Sequence, residues 1–300
     1  MRRSFPFLIA LAFSLAGAAA AQQGAPPAPA AAASPGQGQA QPGAGGDALG
    51  GLGGFDTSGA SGPVEIDASE GVEWDRDQRI YVARGNAKVT RGDFSVSADT
   101  LTAHYRDEAG GKTAIYLVEA DGHVVILSKD SRIVGDRAVY DLDKGSAIVT
   151  GRDLKATSKQ DYVTARDSLE YWTKQNAVVA RGNAAAGDKE KEVHADLLTG
   201  YFRVDSKGAK KLYQVEATGN VRLLSNGNVA RAQKAVYNLD SDIAALDGGV
   251  KITRGKNQLN GEHAVYNTKT GKARVTGGGS QVKTLLVPGS DNSAGGVLKP

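Results

Sequence analysis

The sequence predicts an all-β fold in which roughly 14–16 short antiparallel strands stack into a twisted, solenoid-like β-jelly roll. Three observations support this prediction. Apolar and polar residues alternate with period 2 from Val64 to about Val287, and many of the apolar ones are β-branched. An aromatic residue recurs at a regular interval. A glycine marker, in most units followed by a polar residue as in Gly85-Asn86, precedes most of these aromatic residues at a nearly constant distance.

The stretch "VGDRAVYDLDKGSAIVTG" (Val134–Gly151) illustrates one repeating unit. In its first strand Ala138, Tyr140 and Leu142 share one face, because successive side chains of a strand point to opposite faces. Asp143-Lys144-Gly145 predicts the turn, and "AIVTG" predicts the returning strand. A similar hairpin, "LNGEHAVYNTKTGKARVTGG" (Leu259–Gly278), stands near the C-terminus.

The repeat markers extend through the chain. Successive aromatic positions lie 29 to 36 residues apart, at Trp74, Tyr105, Tyr140, Tyr171, Tyr201, Tyr237 and Tyr266. The glycine marker precedes each Tyr by 18 to 20 residues, at Gly85, Gly122, Gly151, Gly182, Gly219 and Gly248. This spacing predicts about seven units with glycines at the strand boundaries.

The N-terminal segment predicts export. Residues 1–21 combine Arg2 and Arg3, a short apolar run and Ala19-Ala20-Ala21, which together are typical of a cleaved signal peptide. An uncleaved anchor is the alternative, and the shortness of the apolar run disfavours it. Residues 22–62, rich in Ala, Pro and Gly, predict a disordered linker, residues 63–287 the β domain, and residues 288–300 a disordered tail.

Composition excludes several kinds of site. The chain has no Cys, so it contains neither disulfides nor a thiolate metal site. Its 4 His show no metal-ligand spacing, and its net charge of +3 comes without a basic block, so we expect no metal, no cofactor and no nucleic-acid partner. No nucleophile motif is present, so we expect a protein that is not an enzyme.

Three segments resemble the repeat of the OstA-like (LptA-type) family of periplasmic lipopolysaccharide-transport proteins. They are Ala83–Tyr105, Ala120–Gly151 and Ala217–Asp240. The resemblance implies a β-jelly roll whose apolar interior carries the lipid A acyl chains of lipopolysaccharide. It also implies a periplasmic location and end-to-end strand pairing with inner-membrane and outer-membrane transport proteins of similar fold.

An apolar groove needs inward-facing aliphatic side chains along several strands. The predicted lipid-binding wall consists of Val89, Phe94, Val96, Val124, Ile126, Ile133, Val149, Val178, Val221, Leu223 and Ile252. Cations near the rim would suit the phosphates of the cargo, and the candidates are Arg84, Arg91, Lys129, Arg132, Arg181 and Arg254. Core filling and solvated turn charges are the alternative interpretations of these residues.

Other functions stay open at this point. A stack of hairpins leaves two open sheet edges, which predicts a head-to-tail homo-oligomer because such a contact does not close on itself. An exported structural or adhesive β-solenoid without lipid cargo would share these features. A polysaccharide-active β-helix would need a carboxylate cluster, whereas the acids that recur before Tyr, such as Asp99, Asp136 and Glu262, are more typical of turn or ladder residues.

Overall fold

A computed structural model describes residues 64–287, apart from residues 110–111, 129–130, 159–160, 189–190, 205–209, 226–227, 268–269, 271 and 280. The predicted signal peptide, linker and C-terminal tail lie outside the described residues. The described residues form 18 strands in a single sheet and no helix, so none of them belongs to a helix that could cross a membrane. The all-β fold class is therefore confirmed, whereas the predicted count of 14–16 strands was too low.

The strands follow the chain in order. They are β1 (Glu65–Asp67), β2 (Gly71–Asp75), β3 (Ile80–Arg91), β4 (Phe94–Glu108), β5 (Lys112–Ser128), β6 (Ser131–Asp141), β7 (Ser146–Thr150), β8 (Leu154–Ser158), β9 (Asp161–Ala165), β10 (Ser168–Trp172), β11 (Ala177–Gly187), β12 (Lys191–Val204), β13 (Lys210–Ser225), β14 (Asn228–Asn238), β15 (Ile243–Arg254), β16 (Asn257–Asn267), β17 (Ala273–Thr276) and β18 (Lys283–Leu285).

The sheet is an antiparallel meander. Consecutive long strands from β3 to β6 and from β11 to β16 pair as hairpins. At three places two short strands occupy the length of one long strand: β7 and β8 both pair with β6, β9 and β10 both pair with β11, and β17 and β18 both pair with β16. At the N-terminal end β1 and β2 both pair with β3 in the same way.

Five of the six glycine markers lie inside strands, which corrects the prediction that they mark strand boundaries, whereas Gly151 lies between β7 and β8 as predicted. Strands β3, β5, β11, β13 and β15 each pass through a pair of residues with positive φ, and the ladder shifts register there. The pairs are Gly85-Asn86, Gly122-His123, Gly182-Asn183, Gly219-Asn220 and Gly248-Gly249. Such a bulge bends a strand without ending its hydrogen bonding. Strands of up to 17 residues therefore replace the predicted short ones.

Gly122 shows why the first position of a kink requires glycine. Its φ is +81°, and a Cβ placed there would lie 2.0 Å from Oδ2 and 2.9 Å from Cβ of Asp99 on the neighbouring strand. The carboxylate of Asp99 in turn lies 2.9 Å from Nδ1 of His123, the second residue of the kink. The recurring acids of the sequence thus pack against kink glycines, as Asp167 does against Gly182 and Asp196 against Gly219.

The kinks divide the sheet into two arms. We call the part that carries Tyr140, Tyr171 and Tyr237 the tyrosine arm, and the part that carries Val89, Ile126 and Ile252 the aliphatic arm. Buried residues of both arms belong to a single hydrophobic cluster. The arms therefore pack against each other around one interior, and the opposite face of each arm is exposed to solvent.

One cross-strand row next to the kinks forms the base of this interior on the tyrosine arm. Each member is opposite the next in the ladder, and small and large side chains largely alternate: Ala83, Leu101, Ala120, Ala138, Val149, Leu169, Ala180, Leu198, Ala217, Ala235, Leu246 and Ala264. All are 9% exposed or less. Alternation of small and large residues lets the two arms approach closely without leaving voids.

The aromatic markers occupy mainly the next row of the tyrosine arm, which we call the tyrosine row. It contains Trp74, Tyr81, Ala103, Val118, Tyr140, Ala147, Tyr171, Val178, Gly200, Val215, Tyr237, Ala244, Tyr266 and Ala273. Tyr201 and Tyr105 are the exceptions among the markers. Gly200 takes the row position beside Tyr201, and alternation places Tyr201 on the other face, beside Tyr213. On β4 Ala103 takes the row position, two residues before Tyr105.

The N-terminal end of the interior carries an aromatic cluster. The ring of Tyr81 lies 5.8 Å from that of Trp74 and 5.1 Å from that of Tyr105, and the indole N–H of Trp74 donates a 2.8 Å hydrogen bond to the Tyr105 hydroxyl. Tyr105 is 6% exposed, whereas Trp74 remains 51% exposed at the sheet edge. Trp74, the first aromatic marker and a Trp where the later markers are Tyr, thus occupies a position in the tyrosine row.

Candidate functional site

Between the two arms lies an open, largely apolar cavity, whose empty space is about 1190 Å³ when the solvent at its mouth is included. The aliphatic arm contributes Phe94, Ile126, Ile133, Ala156, Val163, Ala186 and Val193 to its wall. The tyrosine arm contributes Ala147, Val149, Leu169, Tyr171, Val178, Ala180, Leu198, Gly200, Phe202 and Val215. Since both arms line the same cavity, it is an interior trough and not a pocket on one face of the sheet.

A second open cavity, whose empty space is about 550 Å³ with the solvent at its mouth included, continues the first toward the C-terminal strands. Val193 and Val215 line both cavities, so these two residues mark the junction. Leu223, Ala235 and Tyr237 belong to the wall of the second cavity. We call the two connected cavities the trough.

The aliphatic arm supplies a continuous apolar row, which we call the aliphatic row. From one sheet edge to the other it contains Ile66, Val89, Val96, Ile126, Ile133, Ala156, Val163, Ala186, Val193, Leu223, Ala230, Ile252, Leu259 and Thr284. Thirteen strand steps at about 4.8 Å each extend roughly 60 Å. The structure thus brings one apolar surface past the whole stack of strands.

The structure places the predicted wall residues in the aliphatic row, at or near the kinks, and in the two arms beyond these positions. Six belong to the aliphatic row: Val89, Val96, Ile126, Ile133, Leu223 and Ile252. Val124, Val149 and Val221 are each 1% exposed at or near the kinks, and of these only Val149 lines the trough. Phe94 lines the trough at the end of the aliphatic arm, and Val178 packs in a separate cluster with Phe202 and Leu212 on the tyrosine arm.

The sequence did not predict several of the residues that line the trough. Ala156, Val163, Ala186 and Val193 complete the aliphatic row, and Val215 lies at the cavity junction. In "DYVTA" (Asp161–Ala165) the alternation of polar and apolar residues indicates that Val163 faces the interior. Alanines are small enough to be mistaken for spacers, and their position in the wall depends on which strands lie beside them.

The outer end of the aliphatic arm is polar. Beyond the aliphatic row the paired residues include Ser128, Ser131, Ser158 and Asp161 and, further along the sheet, Lys191, Ser225, Asn228 and Arg254. Burial raises the pKa of Asp161 above its usual range, and the nearby Asp188 raises it further. The trough therefore has an apolar interior and a hydrophilic rim.

Only two of the candidate rim cations share the trough face. Arg91 follows Val89 by two residues and pairs with Phe94, and its Nε is buried without a hydrogen-bond partner. Arg254 follows Ile252 by two residues on the same face. Alternation places Arg84, Arg132 and Arg181 on the outer face, and Arg84 and Arg181 form salt bridges there with Glu73 and Glu170, respectively. Lys129 lies outside the described residues.

Comparison with known proteins identifies the family. The sequence profile described as "LptA/(LptD N-terminal domain) LPS transport protein" matches twice, at residues 65–177 and at residues 162–272. Together the two matches span most of the sheet, and more than half of the chain. The chain belongs to the LptA/LptD N-terminal domain family.

A search of curated proteins finds no match to the chain. Among solved structures, the chain is similar to LptH of Pseudomonas aeruginosa, described as the LptA-homologous periplasmic component of the lipopolysaccharide transport device. The two are 19% identical, the match covers 43% of this chain and 96% of LptH, and the TM-score is 0.37.

The two profile matches agree with an internal division of this family member. The first match extends from β1 to the start of β11, and the second from β9 to the region after β16. The two matches overlap at residues 162–177, which include most of β9 and all of β10, and the short strands β7 and β8 come directly before this overlap. The chain therefore contains two successive family units within one continuous sheet.

The one deeply buried carboxylate among the described ion pairs lies at this junction, on the outer face. The side chain of Glu170 is 7% exposed and accepts hydrogen bonds from Arg181 Nε (2.6 Å), Ser168 Oγ (2.7 Å) and Trp172 Nε1 (2.8 Å). Burial raises the pKa of Glu170, but these hydrogen bonds outweigh it, and the resulting pKa lies below its usual range. Glu170 is thus a fully paired structural anion.

Replacement of Arg181 by Met is expected to destabilise the protein by about 2 kcal/mol at neutral pH, because it leaves a buried charge with fewer partners. A lowered folded-state pKa contributes stability above the unfolded pKa of about 4.3 and loses it as the pH falls through the folded value. The difference between wild type and variant should therefore shrink below pH 4. Urea unfolding between pH 3 and pH 7 measures it.

Arg84→Met provides a matched control. Arg84 and Glu73 occupy the equivalent positions of the first unit, but they are 3.8 Å apart and 53% and 73% exposed. An exposed pair of this kind contributes little. Equal, pH-independent losses in the two variants would contradict the role given to burial at Glu170.

The histidines each have a carboxylate neighbour. His104 lies 3.0 Å from Glu119, and His194 lies 3.0 Å from Glu192. His123 pairs with Asp99, and His263 pairs with Asp247. Among residues 64–287 that the structure describes, no three His, Cys, Asp or Glu side chains converge as a metal site would require. Three of these pairs join neighbouring strands, whereas His194 and Glu192 both belong to β12.

Proposed function

We propose that this protein is a non-catalytic carrier that holds the acyl chains of lipopolysaccharide in the trough and passes the lipid along the sheet between inner-membrane and outer-membrane transport components. The observation that supports this most directly is the continuous aliphatic row facing the tyrosine arm across an open cavity. Membership of a lipopolysaccharide-transport family gives the class of cargo.

The energetics suit an acyl cargo. Exposure of an acyl chain to water costs about 0.8 kcal/mol per CH₂, so a chain of about a dozen methylenes costs on the order of 10 kcal/mol. A trough lined by aliphatic side chains removes this cost. Because similar residues repeat along the row, no single position would trap the cargo, and movement along the trough requires no deep site to be vacated.

The rim suits the polar part of such a lipid. Arg91 offers a guanidinium whose Nε has no partner within the described residues, next to the apolar Phe94. A phosphate that accepts hydrogen bonds from Arg91 would compensate for this buried donor. We therefore assign phosphate recognition to Arg91 at one end of the trough and to Arg254 at the other.

We place this function in the periplasm. The proposal combines the signal peptide predicted from residues 1–21 with the description of LptH as a periplasmic component. The exposed sheet edges would pair with transport proteins of similar fold on either side. Cross-linking of purified family members through cysteines placed on β2 would test this pairing, and this chain has no Cys of its own to interfere.

Val215→Asp tests the carrier function. Val215 is half-buried at the junction of the two cavities, so a carboxylate there would have to be desolvated by a passing acyl chain. Lipid A affinity should fall on the order of a hundredfold, a loss that a fluorescence titration with labelled lipid A would measure. Because Val215 is not fully buried, thermal unfolding should change only modestly.

Val265→Asp is the matched control. Val265 is 46% exposed on the outer face, next in the chain to buried Ala264, so the same substitution should leave binding unchanged. Equal affinity of both variants for lipid A would refute the trough as the binding site. A folded wild-type protein that binds no lipid A would instead support a structural β-solenoid.

A further inference from the structure

In the second unit, the outer face of the aliphatic arm carries a row of cations. Arg222 on β13 lies opposite Arg231 on β14, which lies opposite Lys251 on β15. Asn260 on β16 follows, and Lys283 on β18 lies opposite it. We call the four cations, all of them exposed, the basic row. Four strand steps of about 4.8 Å give it a length of roughly 20 Å. Because its members come from four strands, they form no basic block in the sequence.

The basic row lies on the face opposite the trough. Each of its members is next in its strand to a residue of the aliphatic row, and successive side chains of a strand point to opposite faces. These neighbours in the aliphatic row are Leu223, Ala230, Ile252 and Thr284. A ligand on the basic row would therefore contact the outside of the sheet and leave the trough open.

The first three cations of the row repel one another. Directly opposed side chains of a ladder lie about 4.5–5.5 Å apart at Cβ, and like charges in that position destabilise the pair. Arg231 stands between two such neighbours, Arg222 and Lys251. Within the part of the chain that the structure describes, Arg231, Lys251 and Lys283 form no ion pair. Their charge is therefore not balanced by the described part of the protein.

Arg222 has a carboxylate nearby, but that carboxylate is already engaged. Glu192 on β12 accepts a hydrogen bond from the hydroxyl of Tyr162 and lies 3.0 Å from Nε2 of His194. Hydrogen bonding to Tyr162 holds the pKa of Glu192 below its usual range, and His194 and Arg222 lower it further. Glu192 thus balances charge at the β13 end of the basic row, two strands away from Arg231.

The first unit shows that the fold does not require these arginines. Val125 of β5 and Arg222 of β13 each come three residues after the kink glycine of their strand. Val125 lies opposite Val134, as Arg222 lies opposite Arg231. A pair of β-branched residues suits a ladder better than a pair of like charges does. The arginine pair of the second unit therefore indicates a role other than strand pairing.

An uncharged, partly apolar row runs beside the basic row on the same outer face. It contains Leu224, Val229, Thr253, Gln258 and Leu285. Leu285 is 59% exposed, and Leu286 after it is 65% exposed. Protein segments that bind anionic membranes combine cations, which attract the headgroups, with aliphatic side chains, which enter the boundary of the acyl region. A soluble polyanion would make no use of the exposed leucines.

We propose that the basic row and the leucines beside it bind the surface of a phospholipid bilayer that contains anionic headgroups. The headgroup phosphates lie over the cations, and Leu285 and Leu286 reach the acyl boundary at the sheet edge. Charge complementarity supports this partner, because anions placed between the opposed cations replace repulsion by attraction. The site lies outside the trough, so this inference does not depend on the proposed carriage of lipopolysaccharide.

Vesicle co-sedimentation tests the proposal. The wild-type protein should bind vesicles of equimolar phosphatidylglycerol and phosphatidylcholine far more tightly than vesicles of phosphatidylcholine alone. Arg231→Gln combined with Lys251→Gln should weaken binding to the anionic vesicles on the order of thirtyfold, because each lost cation costs about fivefold. High salt should weaken wild-type binding as well, since exposed charges are screened. Equal binding of the wild type to both kinds of vesicle would overturn the proposal.

A matched control removes two cations from the outer face of the first unit. Lys88 and Lys155 are exposed in the same cross-strand row, but neither has a cation directly opposite it. Lys88→Gln combined with Lys155→Gln changes the net charge by the same amount and should leave vesicle binding nearly unchanged. Equal losses in the two double variants would attribute binding to net charge and overturn the basic row as the site.

Two further measurements separate the alternatives. Loss of Arg231 and Lys251 relieves repulsion, so the variant should unfold at the same temperature as wild type or higher. A lower unfolding temperature with unchanged vesicle binding would make the row structural and overturn the proposal.

Lipid A affinity separates this proposal from the carrier function. The double variant should keep wild-type affinity for lipid A, whereas Val215→Asp should keep vesicle binding and lose lipid A. Failure of the carrier function and failure of the membrane site therefore give different results. Reduced lipid A affinity in the double variant, with vesicle binding unchanged, would assign the row to the phosphates of the cargo and overturn the membrane site.

Discussion

Val149→Asp is expected to abolish folding, whereas Ile148→Asp, one residue earlier, should leave a folded protein. Val149 is 1% exposed and lies between Ala138 and Leu169 in the row at the base of the interior. A carboxylate there would be buried without a partner, at a cost of several kcal/mol or more. A domain of ordinary stability, about 5–15 kcal/mol, can lose most of its stability in this way.

Ile148→Asp tests whether burial of the new carboxylate causes the loss of folding. Ile148 faces outward and is only half-buried, so a carboxylate there can stay hydrated. It lies opposite Glu170 in the ladder, which adds a like-charge cost of about 0.2–1 kcal/mol, well below the cost of burial at Val149. Circular dichroism and thermal unfolding of both variants would measure the difference, and Val149→Ala would show how much of the loss comes from missing contacts alone. A folded Val149→Asp variant as stable as Ile148→Asp would contradict the assignment of the two faces of β7.

Gly122→Ala is expected to destabilise the protein by about 3 kcal/mol. A residue with a side chain pays about 1–2 kcal/mol to adopt the left-handed conformation of Gly122, whose φ is +81°. In addition, the new methyl group would lie 2.6 Å from Cγ and 2.9 Å from Cβ of Asp99, so a strand must shift, at a further cost of about 1–3 kcal/mol. The kink holds both arms in place, and thermal unfolding should respond strongly.

Gly249→Ala separates the cost of the left-handed backbone conformation from the cost of the steric clash. Gly249 also lies in a kink and has a φ of +60°, but a Cβ there would meet no atom within 4 Å. Only the backbone cost of about 1–2 kcal/mol should remain. Urea unfolding of the two variants measures the difference, and Asp99→Ala combined with Gly122→Ala should recover part of the loss. Equal costs at both glycines would rule out the close approach to Asp99 as the cause.

Local pattern was sufficient to predict the strands and the faces within them. In Arg137–Leu142 the alternation placed Ala138 and Tyr140 on one face, and the structure buries both at 7% exposure. It was insufficient at the glycine markers. A Gly-Asn pair can end a strand or bend it, and only the ladder that continues on both sides of Gly122 shows that it bends.

Two outcomes at the site depended on strand pairing that the repeat markers alone did not specify. Arg84 was expected at the rim but lies on the outer face, next in β3 to buried Ala83. Tyr201 was expected as a repeat marker, but Gly200 takes the position in the tyrosine row. Ala186 and Val193 line the trough although nothing in their own segments distinguishes them from core residues.

The sequence by itself determined the all-β class, the repeat and the alternation of faces, because each of these depends on residues within one hairpin. Only the tertiary structure decided that the hairpins bend into two facing arms and that their apolar rows align into a trough. These features depend on how each strand pairs with its neighbours on both sides and on bends at the bulges, which no single hairpin specifies.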